Sequence, residues 1–152
     1  MKNNKKNKLS TVLSGVSGEY FVAAELSKRG YIASITLRNT KGVDILCSDP
    51  STSKAITIQV KTNKGIKRSW ILNQKSEECC PNNLFYIFVN LNNNEKHPDF
   101  FIVPSKIVSE YCKKNHSDWL ASPGKKGQKH NDSSMRKFDD HEEKYLDRWD
   151  LL

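Results

Sequence analysis

No stretch of about 18 apolar residues occurs anywhere in the 152-residue chain, which excludes a hydrophobic helix long enough to span a bilayer. The opening MKNNKKNK lacks the apolar centre of a secretory signal, so a soluble, cytoplasmic protein is expected. Cysteine is sparse. Cys47, Cys79, Cys80 and Cys112 contain no CxxC pair and no histidine at zinc-finger spacing, and the adjacent Cys79 and Cys80 are badly placed for a structural disulfide. Reduced thiols are expected, and with His97, His116, His130 and His141 scattered, no zinc site. GKKG lacks the GKS or GKT ending of a phosphate-cradling loop, which removes support for nucleotide hydrolysis. No Ser-His-Asp arrangement and no internal repeat is present.

Acids are what one half of the chain lacks. Residues 1–75 hold 14 Lys or Arg against 4 acids and residues 76–152 hold 11 against 13, within a formal net charge of +8. Six basic residues (Lys54, Lys61, Lys64, Lys67, Arg68 and Lys75) follow one another without an acid, and Trp70 lies among them. A basic stripe with an interleaved aromatic suits contact with phosphates and base stacking. A solvated lysine-rich surface is the alternative, and it is the preferred reading for residues 2–8. For Trp70, capping a core is slightly preferred over stacking on a base.

The length fits one domain. SGEYFVAAELSKRG reads as a helix closed by Gly30, with Val16, Tyr20, Ala23, Ala24 and Ser27 as its stripe. YIASITL, the turn NTKG, and the runs 43–47 and 55–61 about the turn SDPSTSK predict a three-stranded meander. A short helix over 76–80 ends at Pro81; LFYIFVNL is the expected buried central strand, FFIV another, and SKIVSEYCKK a helix after Pro104. The expectation is a disordered basic tail over 1–9, a core over 10–115, and an extension over 116–152 packing on the core through Trp119, Phe138, Tyr145, Trp149 and Leu151. Within the extension, DDHEE is expected to be a solvated acidic face.

Side chains alternate along a strand, so Ile56, Ile58 and Val60 share one face and Thr57, Gln59 and Lys61 the other. If Cys47 pairs with Ile56, Asp44 falls opposite Gln59, and Asp44, Gln59 and Lys61 converge. Glu19 lies on the helical line of Val22, Ala23 and Leu26, where a carboxylate needs a partner such as Lys61 or a cation. Glu25, near Lys28 and Arg29, is expected to be solvated. Asp44, the Gln59 amide oxygen, the Val60 carbonyl and Glu19 are hard oxygen donors suited to Mg²⁺ or Mn²⁺. Such an ion would polarise a phosphodiester, with Lys61 positioning water or offsetting charge. By spacing alone, D-x₁₄-QxK is equally compatible with a structural pair and a surface lysine.

The segments GEYFVAAELSKRGY, GVD and QVKT together resemble the PD-(D/E)xK nuclease superfamily, in its Holliday-junction-resolvase-like and tRNA-endonuclease-like branch. The resemblance covers residues 14–62 well and extends loosely to 113; PGKKGQKHNDSSMRKF looks like a motif shared within a small bacterial family with this core. It implies an α/β fold, a restriction-endonuclease-like core of order α-β-β-β-α-β with a mixed sheet flanked by helices. By motif match Glu19 is the helix acid, Asp44 the central aspartate, and Gln59 and Lys61 the (D/E)xK step. Val43 stands at the motif proline. Gln59 replaces the motif acid, removing one negative charge from the metal site.

The implied function is a metal-dependent endonuclease that binds nucleic acid, DNA before RNA, with a homodimer left open. The alternatives are a non-cutting nucleic-acid-binding module of the same fold and a protein-interaction partner. Expected nucleic-acid contacts are Lys64, Lys67 and Arg68, together with Lys125, Lys126, Lys129 and Arg136 in the glycine-rich segment, where Lys137, Asn131 and Ser133 could assist; solvated lysines explain that second cluster equally well.

Overall fold

The structure is a computed structural model and describes residues 9–37, 42–78 and 80–152. The tail read as disordered lies, but for Leu9, outside the described residues, as do most of the NTKG turn and Cys79.

Helix α1 (Thr11–Lys28) starts where the Ser10 hydroxyl accepts the Leu13 N–H at 3.1 Å. It ends at Gly30, whose φ of +92° suits glycine; the N–H groups of Gly30 and Tyr31 close back on Ser27 and Leu26. Most of the expected stripe faces away from the sheet, although Ala23 packs on the core. Ser14, Gly18, Val22, Glu25 and Leu26 are buried, whereas Tyr20 is 65% exposed. Close approach explains the inversion: a Cβ at Gly18 would sit 1.9 Å from Thr62 Oγ1, so the helix presses its smallest residues onto the sheet. Glu25 is buried rather than solvated, paired with Arg29 and with Lys28 at 3.5 Å.

Strands β1 (Ile32–Ile35), β2 (Ile45–Ser48) and β3 (Ala55–Asn63) form an antiparallel meander. After β4 (Ser69–Asn73) and a single 3₁₀ turn (Gln74–Glu77), β5 (Leu84–Asn90) returns parallel to β3, and β6 (Asp99–Pro104) pairs antiparallel with β5. The sheet order is β1-β2-β3-β5-β6. Every residue of β5 is buried because both faces are covered, which is why its sequence runs apolar without alternation. Val22 and Leu26 of α1 meet Ile56, Ile58, Val60, Ile87 and Val89 on one face.

On the other face lie α2 (Ser105–Ala121) and a second, two-stranded sheet of β4 with β7 (Met135–Asp139). Trp70 is 1% exposed, packs 5.0 Å from both Phe88 and Phe101, and donates its indole N–H to the Val89 carbonyl at 3.3 Å. Phe138 stacks on Phe88 at 4.8 Å. Burying one such ring contributes about 1.5–3 kcal/mol. The expected boundary at 115/116 therefore falls inside α2, and β7, from the supposed extension, is part of this core. Trp149 packs on Phe100 at 5.5 Å and lies under the Arg29 guanidinium, whereas Trp119 is 39% exposed, stacked on His130 at 4.1 Å.

The DDHEE run is not one solvated face. Asp140 is buried and accepts the Lys144 and Tyr145 N–H groups at 3.0 and 2.9 Å. Asp139 accepts the Tyr111 hydroxyl at 3.0 Å. Cys47, Cys80 and Cys112 are free. Among the described residues no helix is long and apolar enough to cross a membrane.

Candidate active site

The turn SDPSTSK fixes how β2 meets β3. Asp49 Oδ1 accepts the Ser51 N–H at 2.8 Å, an Asx-type closure, and Ser53 takes φ of +56°. The resulting register pairs Cys47 with Ile56 and Ile45 with Ile58, and Asp44 lies one residue before the paired strand with its N–H on the Ile58 carbonyl. Ile45 and Cys47 face α1, whereas Gln59 and Lys61 lie on the other face of the sheet.

Three groups of Asp44 are tied down. Its N–H donates to the Ile58 carbonyl at 2.8 Å, its carbonyl accepts the Thr36 N–H at 2.9 Å, and Oδ2 accepts the Val60 N–H at 2.7 Å. The carboxylate thus stands in for the backbone acceptor that β2 would otherwise offer Val60. The N–H and C=O of one strand residue point to the same side, so the Val60 carbonyl also faces the Asp44 edge. Val43, at the motif proline, is held through its carbonyl by the Thr36 hydroxyl at 2.7 Å.

Gln59 and Lys61 open into a cavity of about 330 Å³, whose polar walls also include Asn73, Lys75, Ser76 and Tyr86. Glu19 and Asp44 are not part of that lining. Glu19 is half-buried on α1, one residue beyond the Gly18–Thr62 contact, and so comes from the opposite face of the sheet at the level of Thr62. The structure joins Asp44 to Val60 and places Gln59 and Lys61 on one cavity, with Glu19 on helix α1.

The fit to a divalent cation rests on donor chemistry. Asp44 Oδ2 is used by Val60, while Oδ1 takes part in no hydrogen bond among the described residues. Together with the Val60 carbonyl and the Gln59 amide oxygen, this is a hard-oxygen set that suits Mg²⁺ or Mn²⁺. Among the described residues no group of three His, Cys, Asp or Glu is placed to hold a metal. A site with Gln at position 59 has at most two acids, Asp44 and Glu19, and would not form such a group.

The expected nucleic-acid contacts divide. Lys64, Lys67 and Arg68 lie in the turn between β3 and β4, which Asn63 shapes by donating to the Lys67 and Ser69 carbonyls, each at 2.9 Å. Lys125, Lys126 and Lys129 are exposed in the loop leading to β7, which pairs Met135 with Asn73. The two clusters therefore sit at opposite ends of β4. Arg68 is ion-paired with Glu143. Arg136 is a correction: it is 6% exposed, ion-paired with Glu77, and donates to the Ser133 carbonyl. It pins β7 to the 3₁₀ turn, and its guanidinium is already engaged there. Lys75, outside the motif, is a cavity residue that motif matching missed; its only sequence signal was its place in the acid-free basic run.

With this geometry the fold can be compared with known structures. A bacterial homing endonuclease is similar over 95% of this chain and 91% of its own, with a TM-score of 0.57 at 13% identity. The fold is restriction-endonuclease-like. Hjc, a Holliday junction resolvase from Archaeoglobus fulgidus, is similar over 82% of this chain and 83% of that one, with a TM-score of 0.47 at 15% identity. No protein-family model and no curated protein sequence matches the chain. Within the restriction-endonuclease-like fold, the five-stranded mixed sheet with a helix on each face carries Asp44 on β2's leading edge and Gln59 and Lys61 on β3.

Proposed function

We propose that the protein is a divalent-metal-dependent endonuclease that binds nucleic acid, DNA before RNA, and hydrolyses a phosphodiester. What supports this reading is the Asp44 carboxylate held on the Val60 N–H at 2.7 Å, on the strand from which Gln59 and Lys61 line one cavity. The likeness in fold to a homing endonuclease supports it.

Asp44, Gln59, the Val60 carbonyl and Glu19 are the residues that would hold Mg²⁺ or Mn²⁺. When bound, such an ion polarises the phosphodiester and lowers the pKa of an attacking water. Asp44 enters this role with its backbone and one carboxylate oxygen already fixed, so little reorganisation is needed as charge develops. Lys61 offers an ammonium to the water or to the charge that builds on the phosphoryl oxygens. Water adds to phosphorus, the bond to the leaving oxygen breaks, and that oxygen takes up a proton. Lys64 and Lys67 extend the phosphate contacts beyond β3, with Lys125, Lys126 and Lys129 at the far end of β4. Among the described residues no helix is evident as a base reader, so substrate structure is expected to matter more than sequence. The reading includes a homodimer, which sedimentation at micromolar concentration checks.

Asp44→Ala and Lys61→Ala are each expected to abolish Mg²⁺-dependent cleavage of duplex, flapped and branched DNA. Full activity in both variants would sink the assignment. The neutral Gln59 favours a second reading, a module that binds nucleic acid without cutting it. Salt-dependent DNA binding together with no Mn²⁺ site by calorimetry would support that reading over the first.

A further inference from the structure

Most basic side chains of the second half of the chain are already neutralised: Lys96 by Asp99, Lys114 by Asp118, Arg136 by Glu77, Lys137 by Asp139, Lys144 by Glu142 and Arg148 by Asp150. Lys61 and Lys75 differ. They share one cavity of about 330 Å³ whose lining holds no carboxylate, and neither forms an ion pair among the described residues. Two ammonium groups facing one partly enclosed space repel unless an anion lies between or beside them.

Lys75 and Asn73 also line a second, outer cleft of about 410 Å³ that runs to Ser134. The 3₁₀ turn carrying Lys75 is held there by two bonds: its N–H donates to Asn73 Oδ1 at 3.0 Å, and the Gln74 N–H donates to the Ser134 carbonyl at 2.9 Å. Glu78 is the acid of that outer lining, so Lys75 is the cation common to both spaces. Beyond Ser134 the chain leads back to the exposed Lys129, Lys126 and Lys125.

We infer that Lys75 is a phosphate-gripping residue outside the nuclease motif: it holds a backbone phosphate next to the scissile one and directs the strand from the cavity over the Gln74–Glu77 turn toward Ser134. This inference rests on the nuclease reading and adds the path of the polyanion. It makes the substrate class a nucleic acid long enough to reach both spaces, so that a mononucleotide ester would leave the Lys75 subsite empty.

The test uses the full chain without divalent ions, so that binding is read apart from cleavage. Lys75→Ala is expected to weaken binding of a labelled DNA duplex or four-way junction about eightfold at 0.1 M salt and to lower the salt slope by about 0.9, one contact's worth of counterion release. Lys75→Arg should keep the slope. A benzoylphenylalanine replacing Gln74 or Ser134 should photocrosslink to the bound strand, and one replacing Lys54, in the distant β2–β3 turn, should not. An unchanged slope in Lys75→Ala, or crosslinking at position 54 equal to that at position 134, overturns the route while leaving the motif residues untouched. Absence of DNA binding by the unaltered chain would instead overturn the nuclease reading itself.

Discussion

Asp44 Oδ2 accepts the backbone N–H of Val60 at 2.7 Å, so the residue proposed to hold a metal is also a link in the sheet. Structure and chemistry can therefore be separated at one position. Asp44→Ala strips a buried N–H of its partner and should cost about 1–3 kcal/mol in urea denaturation. Asp44→Asn keeps an oxygen acceptor and should stay close to the parent in stability, yet lose Mg²⁺-dependent cleavage. Equal destabilisation by both variants would contradict the geometry.

Gln59 is the point at which the metal reading is weakest in charge. Gln59→Glu adds one carboxylate to the proposed ligand set and should tighten Mn²⁺ binding, read as a lower Kd by calorimetry, because ligand charge helps set affinity. In Gln59→Ala the affinity should fall below that of the parent. The same affinity in all three proteins would remove Gln59 from the ligand set.

Gly18 sets how closely α1 lies on β3. Gly18→Ala places a methyl 1.9 Å from Thr62 Oγ1, and overpacking of this kind costs about 1–3 kcal/mol. Thr62 Oγ1 is buried without a hydrogen-bond partner, so Thr62→Ala alone should be mild. The double variant should recover most of the loss, a non-additivity that a double-mutant cycle measures.

Tyr111 and Asp139 form a pair with opposite pH limits. Burial, and next the nearby Asp139 charge, push the Tyr111 hydroxyl up to about 12. Burial also pushes Asp139 upward, but hydrogen bonds from Ser69, Lys137 and Tyr111 outweigh it and hold the carboxyl below its usual range. The Asp139 contribution is present above the unfolded value of about 3.9 and is lost as pH falls through the lower folded value. Tyr111's is whole below the unfolded value of about 10 and is lost as pH rises through the folded one. Asp139→Asn should flatten the acid limb of the stability–pH curve, and Tyr111→Phe the alkaline limb.

Phe138 tests whether β7 belongs to the core. At 1% exposure and stacked on Phe88, it should cost about 3–5 kcal/mol when replaced by Ala. A chain cut after residue 113 should lose cooperative unfolding along with nucleic-acid binding.

The legible parts of the fold were those where one physical pattern acted alone. Alternation in AITIQVK assigns the faces of β3, and the unbroken apolar run of LFYIFVN marks a strand covered on both sides. The β2–β3 register followed from pairing Cys47 with Ile56. The strands β4 and β7 were hidden because their inward positions include Arg136, whose charge is met by Glu77, 59 residues away in sequence. The stripe of α1 was read outward-in for a related reason: where a helix lies this close to a sheet, Ser14 and Gly18 are the contact surface and Tyr20 is left in solvent. Lys75 joined the cavity through β4 and its turn, and no motif spacing encodes that.

The cavity wall is built in an unusual order. Lys61 and Lys75 are in place by the middle of the chain, but Asn73 and Leu72 are paired only with Met135 and Arg136. A growing chain can therefore display its basic residues and its β2–β3 hairpin well before the wall that shapes the cavity exists. The basic residues proposed to attract phosphate thus precede in sequence the strand that completes the cavity wall.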